Sequence, residues 1–262
     1  MTNKYNKRYA KQKGNRMDKA SKRENTISDQ KRQGIARIIP PYAVIPLLSC
    51  LAWNCIVYWG TQLLCANRPH YDFSTPFDLA LPFQSWWILI YVSSFVFWPL
   101  CYVMTAKYNS KEFLFRFVTA DLLSRTICGI FFIVLPTTNV RPQFEIDGFC
   151  DALLALIYHV DMPYDLFPSI HCLVSLMCWL GIYRCHEVKF EVKAAVLAYA
   201  LLICASTQFT KQHYIVDVAG GLLTALLAFA LGMRTNWYRP VQRMFERVNQ
   251  RVWRDMGETH ER

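Results

Sequence analysis

Two histidines and one aspartate stand at the ends of long apolar segments in this chain. His171 closes Phe167-Pro168-Ser169-Ile170-His171, and His213 and Asp217 lie in Lys211-Gln212-His213-Tyr214-Ile215-Val216-Asp217. Ionisable side chains in such surroundings are costly and usually have a task. His213 and Asp217 have i, i+4 spacing, so on a helix they share a face and the carboxylate can hold the imidazole in one tautomer. His171 arrives from a separate segment and adds a group able to move a proton. A nucleophile, an orienter and a proton donor are the parts needed for covalent phosphoryl or acyl transfer. The same three groups could ligate zinc instead. Activity that survives exhaustive chelation would remove that alternative, and the covalent reading needs neither metal nor cofactor.

The elements that must carry these residues are read from hydropathy. Of the 262 residues, 53% are hydrophobic and 15% aromatic, more than an ordinary soluble domain holds. Six apolar runs, at 40–65, 85–105, 113–135, 169–184, 192–210 and 214–233, approach the roughly 20 residues that a membrane-crossing helix needs. The expectation is an all-α integral membrane protein, a six-helix bundle, with the fourth run short and starting before its apolar pattern does. Residues 1–37 differ: basic, polar and poor in large apolar side chains, they carry nearly all of the formal +10 charge. They read as a disordered tail and not as a signal peptide, because the first apolar run is too long and begins too late. Residues 38–236 form the six-span domain. Residues 237–262 read as a basic amphipathic helix, with Arg239, Arg243, Arg247, Arg251 and Arg254 at helical spacing. Both basic ends are expected to meet anionic lipid rather than nucleic acid. A solvated or oligomerising helix is the alternative at the C-terminus, and the oligomeric state is not readable from sequence.

Lys and Arg crowd the tail, Lys107 and Lys111, Arg184 and Lys189, and Arg234 to Arg243, whereas Asp72, Asp78, Glu145, Asp147, Asp151, Asp161 and Asp165 fall in the alternate connections. The positive-inside rule then places both termini in the cytoplasm and the acidic loops outside. His171 and His213 both reach the outer face on that layout. Phe149–Tyr158 is apolar but too short to span, and is expected as a lid or wall at the outer interface. Most cysteines lie within apolar runs and behave as small hydrophobes; Cys65 and Cys150, near outer loops, could pair.

Pro168-Ser169-Ile170-His171 resembles the second motif, Pro-Ser-Gly-His, of the type-2 phosphatidic acid phosphatase superfamily, and His213 with Asp217 resembles the His-x-x-x-Asp that ends its third motif. The wording Pro-Ser-Ile-His with Lys-Gln-His-Tyr-Ile-Val-Asp-Val resembles more nearly the branch containing the fungal inositol phosphorylceramide synthases and related bacterial proteins. The resemblance spans about residues 70–233. It implies that His213 attacks phosphorus, Asp217 orients it and His171 protonates the departing alcohol. Arg141, in Asn139-Val140-Arg141-Pro142, matches the Arg-Pro of the first motif, and Ser169, Ser206 and Lys211 complete the expected phosphate-binding set. The sequence departs from the family at two cations: Val134 stands where a lysine is expected, and Thr207 where an arginine is.

Lys211 is the natural replacement, and Asp121 with Arg125, on one face of the third run, could supply a buried pair. For Arg141 an interfacial snorkelling role competes with a phosphate clamp. Arg116, Asp121 and Arg125 are expected to join helices, and Gly220 and Gly221 to permit close packing. The function implied is lipid phosphate hydrolysis at the outer face of the plasma membrane. The alternatives are transfer of a phospho-headgroup onto a lipid alcohol such as diacylglycerol or ceramide, which the missing cations suit, and a transporter or non-catalytic lipid-binding scaffold. Transporters keep paired polar residues near the bilayer midplane; here they sit at span ends.

The orientation has a direct test. A protease or thiol-labelling probe added to intact cells should reach the loop around Glu145 and Asp147 and neither terminus. Labelling of the tail from outside would overturn the layout.

Overall fold

The computed structural model describes residues 38–258, so the basic tail expected over 1–37 lies outside the described residues. Nine α-helices follow in the described chain: α1 (Pro41–Cys65), α2 (Pro76–Ala80), α3 (Ile88–Tyr108), α4 (Lys111–Val134), α5 (Phe149–Val160), α6 (Ile170–Leu180), α7 (Phe190–Phe209), α8 (Ile215–Arg234) and α9 (Tyr238–Glu258). A 3₁₀ turn, Ser85–Trp87, leads into α3. The only strands among the described residues are β1 (Tyr71–Asp72) and β2 (Thr137–Thr138), paired in parallel. Helix makes up 73% of the described residues and strand 2%, so the all-α class stands and the strands act as clasps between loops.

Five helices are long and apolar enough to cross a membrane: α1, α3 with its leading turn, α4, α7 and α8. Their outward faces carry large apolar side chains in the open, among them Leu51, Trp59, Phe95, Leu100, Leu223 and Leu227. A bilayer covers such a surface and satisfies none of its backbone, which the helices pair internally.

The run expected as the fourth span forms a shorter helix than the others and is continued by turns that reach the end of α3, where Asn109 donates to Gly181 O (3.0 Å) and Cys185 to Tyr108 O (2.9 Å). α6 is an 11-residue helix, about 16 Å long at 1.5 Å per residue, against a hydrocarbon core of about 30 Å. Nor does it start before its apolar pattern: Ser169 caps it, and turns follow from Gly181. Nine of its residues are buried, because it packs between α3, α7 and α8. Non-helical backbone on either side of a short helix is tolerated where protein covers it.

The charged residues inside the long helices join elements. Arg116 donates to the carbonyls of Met233 and Thr235 (both 2.8 Å) at the end of α8. Arg125 and Asp121 pair at 3.0 Å within α4, and Tyr102 of α3 donates to the same carboxylate. α9 lies on the start of α4 through Phe245 against Phe115 and the Lys111–Glu246 ion pair at 2.7 Å. All ten cysteines are free; the Cys65 thiol is buried and donates to the Phe132 carbonyl, so the pairing with Cys150 left open above does not form.

One close approach sets the geometry of the upper bundle. A Cβ on Gly221 of α8 would lie 2.4 Å from the carbonyl oxygen of Ser169, and one on Gly220 would lie 2.4 Å from the Phe167 ring. Only glycine lets α8 touch the loop that starts α6. Gly221→Ala meets rigid backbone, so it should destabilise the protein by about 1–3 kcal/mol. A clear fall in the detergent-solubilised melting temperature should accompany it, and an unchanged melting temperature would contradict this contact.

Candidate active site

The site is assembled from two helix starts and one helix end. At α6, the Ser169 Oγ accepts the amide of Cys172 (3.4 Å) and its carbonyl accepts Leu173 (3.1 Å). The amide of Ser169 donates to the carbonyl of Asp217 (3.0 Å), tying the α6 start to the first turn of α8. His171, one residue into α6, therefore stands beside that turn.

α7 ends in a Schellman motif: Gln212 N–H bonds to Thr207 O (2.9 Å) and Lys211 N–H to Gln208 O (3.1 Å). Lys211 holds the left-handed position of this motif with φ 52°, a place normally given to glycine. His213 N–H also reaches Thr207 O (3.1 Å), and the Gln208 amide donates to His213 O (2.8 Å). The backbone on both sides of the histidine is thus held by α7. Thr207, standing where the family has arginine, offers its carbonyl here while its hydroxyl donates back to Cys204 O (2.7 Å).

His213 Nδ1 lies 3.5 Å from Asp217 Oδ2, an ion-pair distance longer than a hydrogen bond. The same oxygen accepts the Tyr214 amide (2.8 Å), so Asp217 both caps α8 and faces the imidazole. His213 is 8% and Asp217 1% exposed. Burial works against the imidazolium, but the Asp217 carboxylate outweighs it and lifts His213 above the usual histidine value. The ring centroids of His171 and His213 are 5.8 Å apart. His171 Nε2 is buried and without a partner among the described residues, and its ring lies against Tyr91 (4.4 Å, stacked), Trp98 (5.2 Å) and Phe95 (6.1 Å) of α3.

The other expected residues divide. Arg141 is near: its Nη2 donates to Gln212 Oε1 (2.6 Å), and its Nη1 to the carbonyls of Tyr158 (3.0 Å) and Asp161 (2.6 Å) at the end of α5. Its Nε–H is buried and carries no partner among the described residues. Lys211 points elsewhere: its Nζ donates to the carbonyls of Asp78 (2.7 Å) and Leu81 (2.6 Å), closing the end of α2. Burial holds its ammonium below the usual lysine value, with Asp78 opposing. Ser206 is fully buried in α7 and its hydroxyl donates to Ile203 O (2.7 Å). The Asp121–Arg125 pair belongs to the α3–α4 interface described above.

Several contributors were not singled out in the sequence. Gln212, 1% exposed, accepts from Arg141 and leaves its amide nitrogen unpartnered among the described residues. Asn139 donates to the carbonyls of Lys211 (2.8 Å) and Gln212 (3.1 Å). Asp78 accepts the Ile215 amide (2.8 Å) at the start of α8. Its capping box, Thr75-Pro76-Phe77-Asp78, was a readable signal. So was Tyr91, Phe95, Trp98, an i, i+4, i+7 aromatic face.

A family model described as PAP2 superfamily matches residues 80–231, a stretch that contains His171, His213, Asp217, Arg141 and Gln212. The chain belongs to the PAP2 superfamily. No curated protein matches it, and neither does any solved structure. PAP2 superfamily members are generally enzymes of phosphatase type, acting on phosphate esters.

One buried carboxylate in this region stands apart. Asp165, 2% exposed with φ 58°, has no hydrogen-bond partner on either oxygen among the described residues. Burial pushes its carboxyl up to about 6, with Thr61 and Arg68 opposing. Because the folded value exceeds the ordinary one, the folded chain holds a proton that the unfolded chain releases, and stability falls as pH rises from about 4 to about 6. Asp165→Asn tolerates the same backbone and should raise the melting temperature at pH 7.5, the gain shrinking below pH 4. Thermal denaturation across that range checks it; a loss of stability at pH 7.5 would contradict it.

Proposed function

We propose that this PAP2 protein is a membrane lipid phosphatase that works through a phosphohistidine on His213. The observation that carries the reading is the trio itself: a histidine held by Asp217 on one side and facing a second histidine, its ring 5.8 Å away, in a PAP2 chain. Asp217 faces Nδ1, which leaves Nε2 to attack phosphorus. The N–P bond forms as the bond to the lipid alcohol breaks, and His171 gives that alcohol its proton. Water then attacks the phosphohistidine, His171 takes the water's proton, and inorganic phosphate leaves with His213 restored.

His171 sits among aromatic rings and has no carboxylate partner. The phosphate anion between the two histidines supplies the charge that lets His171 hold a proton. Arg141, with its free Nε–H, and the amide of Gln212 are the donors placed to meet the non-bridging oxygens. Phe95 touches His171 on one side and is 52% exposed on the outer surface of the bundle. Its exposed side meets the acyl chains of a surrounding bilayer, which favours a lipid phosphate over a soluble one. The outward orientation of the site and cytoplasmic termini remain as inferred from the charge asymmetry.

A second reading is favoured by one observation: with Lys211 spent on two carbonyls, Arg141 is the cation placed at the site, which suits a phosphodiester and transfer of its headgroup to a lipid alcohol. Product analysis separates the two. Purified enzyme is given labelled phosphatidic acid or a labelled phospholipid, each with and without an added lipid alcohol. Inorganic phosphate from the first, independent of the alcohol, is expected. A new phospholipid formed only with the alcohol would replace hydrolysis by transfer.

The roles predict the variants. His213→Ala should abolish covalent phosphoenzyme and turnover, and Asp217→Asn should lower the rate by on the order of 10²–10⁴-fold with folding intact. His213 must be neutral to attack, so the acidic limb of kcat/KM should lie above the ordinary histidine value and move down in Asp217→Asn. Exhaustive chelation should leave activity unchanged. A folded His213→Ala protein with wild-type turnover would refute the nucleophile.

A further inference from the structure

We infer that Tyr91 is the positioning residue that sets the ring plane of His171, through an anchor outside the active site. The inference rests on the reading above, in which His171 protonates the leaving alcohol. Tyr91 is 1% exposed and its ring stacks on the imidazole at 4.4 Å with planes 27° apart. Its hydroxyl donates to Asp161 Oδ2 (3.2 Å), while Tyr58 of α1 donates to the other oxygen of that carboxylate. The carbonyl of the same aspartate accepts from Arg141 (2.6 Å). One short loop position, Asp161 at the end of α5, thereby links the plate behind His171 to the arginine facing Gln212.

Tyr91 differs from its neighbours in the aromatic wall. Phe95 meets the imidazole edge-on, and Trp98, whose indole N–H donates to Ser175 (3.0 Å), is tilted against it at 56°. Only Tyr91 lies nearly parallel to the ring and is held at its far end by a hydrogen bond. His171 has no hydrogen-bonded partner on Nε2, so hydrogen bonding at that atom does not fix its rotation about χ2. A stacked plate limits that rotation. A general acid must lie within hydrogen-bond reach and in line with the departing oxygen, so a ring free to turn would lose proton transfer before it lost binding.

Leaving-group dependence reads this role and a merely structural one differently. Full-length wild type, Tyr91→Phe, Tyr91→Leu and His171→Ala are compared on two lipid-like monoesters of equal chain length. One is an alkyl phosphate, whose alcohol must be protonated as it leaves, and the other a nitrophenyl phosphate, whose phenolate departs unaided. Tyr91→Leu should lower kcat on the alkyl ester by about 10–100-fold, a part of the 10²–10⁴ that proton transfer supplies. Its KM should stay near wild type, and its kcat on the aryl ester should change little. Tyr91→Phe keeps the plate and loses the anchor, so its loss on the alkyl ester should be smaller and confined to that substrate.

Equal losses on both esters, or none, would overturn the role of Tyr91 while His171→Ala still shows the contrast. If His171→Ala itself shows no contrast, the general-acid reading falls and takes this proposal with it. Should Tyr91→Leu fail to fold, the Tyr91→Phe comparison decides alone: a loss limited to the alkyl ester supports the role, and no loss refutes it.

Discussion

The hydrogen bond from the Ser169 amide to the Asp217 carbonyl, 3.0 Å long, is the constraint on which the rest of this site depends. It joins the first residue before α6 to the first turn of α8, two segments more than 40 residues apart in sequence. His171 follows from one partner and Asp217, with His213 four residues earlier, from the other. The bond exists because Gly221 lets α8 press directly on the Ser169 carbonyl. From α7 the Schellman turn delivers His213 to the same place, with Thr207 O accepting both Gln212 and His213. The imidazoles are thus positioned by backbone, which is more rigid than a network of side chains.

Charge around the site is sparse and directed. Three carboxylates, Asp78, Asp161 and Asp217, are spent on amides and hydroxyls that hold elements in place. Asp217 alone also faces an imidazole. Lys211, the apparent substitute for the family's missing cations, takes a left-handed backbone and turns its ammonium onto the last turn of α2. Its charge closes a helix C-terminus, where cations are favoured. Arg141 is divided between helix-end carbonyls and Gln212, which leaves its Nε–H without a partner among the described residues.

Much of this was open to reading in the sequence, for physical reasons that also mark its limits. Long apolar runs declare membrane helices through length alone, and five of the six did so. The run at 169–184 forms a shorter helix continued by turns, because burial against protein looks, in composition, like burial in lipid. His171, His213 and Asp217 were visible because ionisable groups in apolar surroundings are few. The directions of Lys211 and Ser206 were not, since a side chain's rotamer depends on which carbonyls its neighbours leave free. In the sequence Asp161 reads as one outer-loop charge among several, and Tyr91 as one of many aromatics. Their link requires α1, α3 and α5 to meet, which no local pattern encodes.

The central claim is that phosphorus passes through His213 on its way to the acceptor. The stereochemical course of the reaction tests it most directly. A substrate made chiral at phosphorus by sulfur and oxygen isotopes is turned over, and the configuration of the product is determined. Two successive in-line displacements, onto His213 and off it, each invert the centre, so the account predicts net retention whether water or a lipid alcohol is the acceptor. Net inversion would show a single direct displacement and contradict a phosphohistidine at this site.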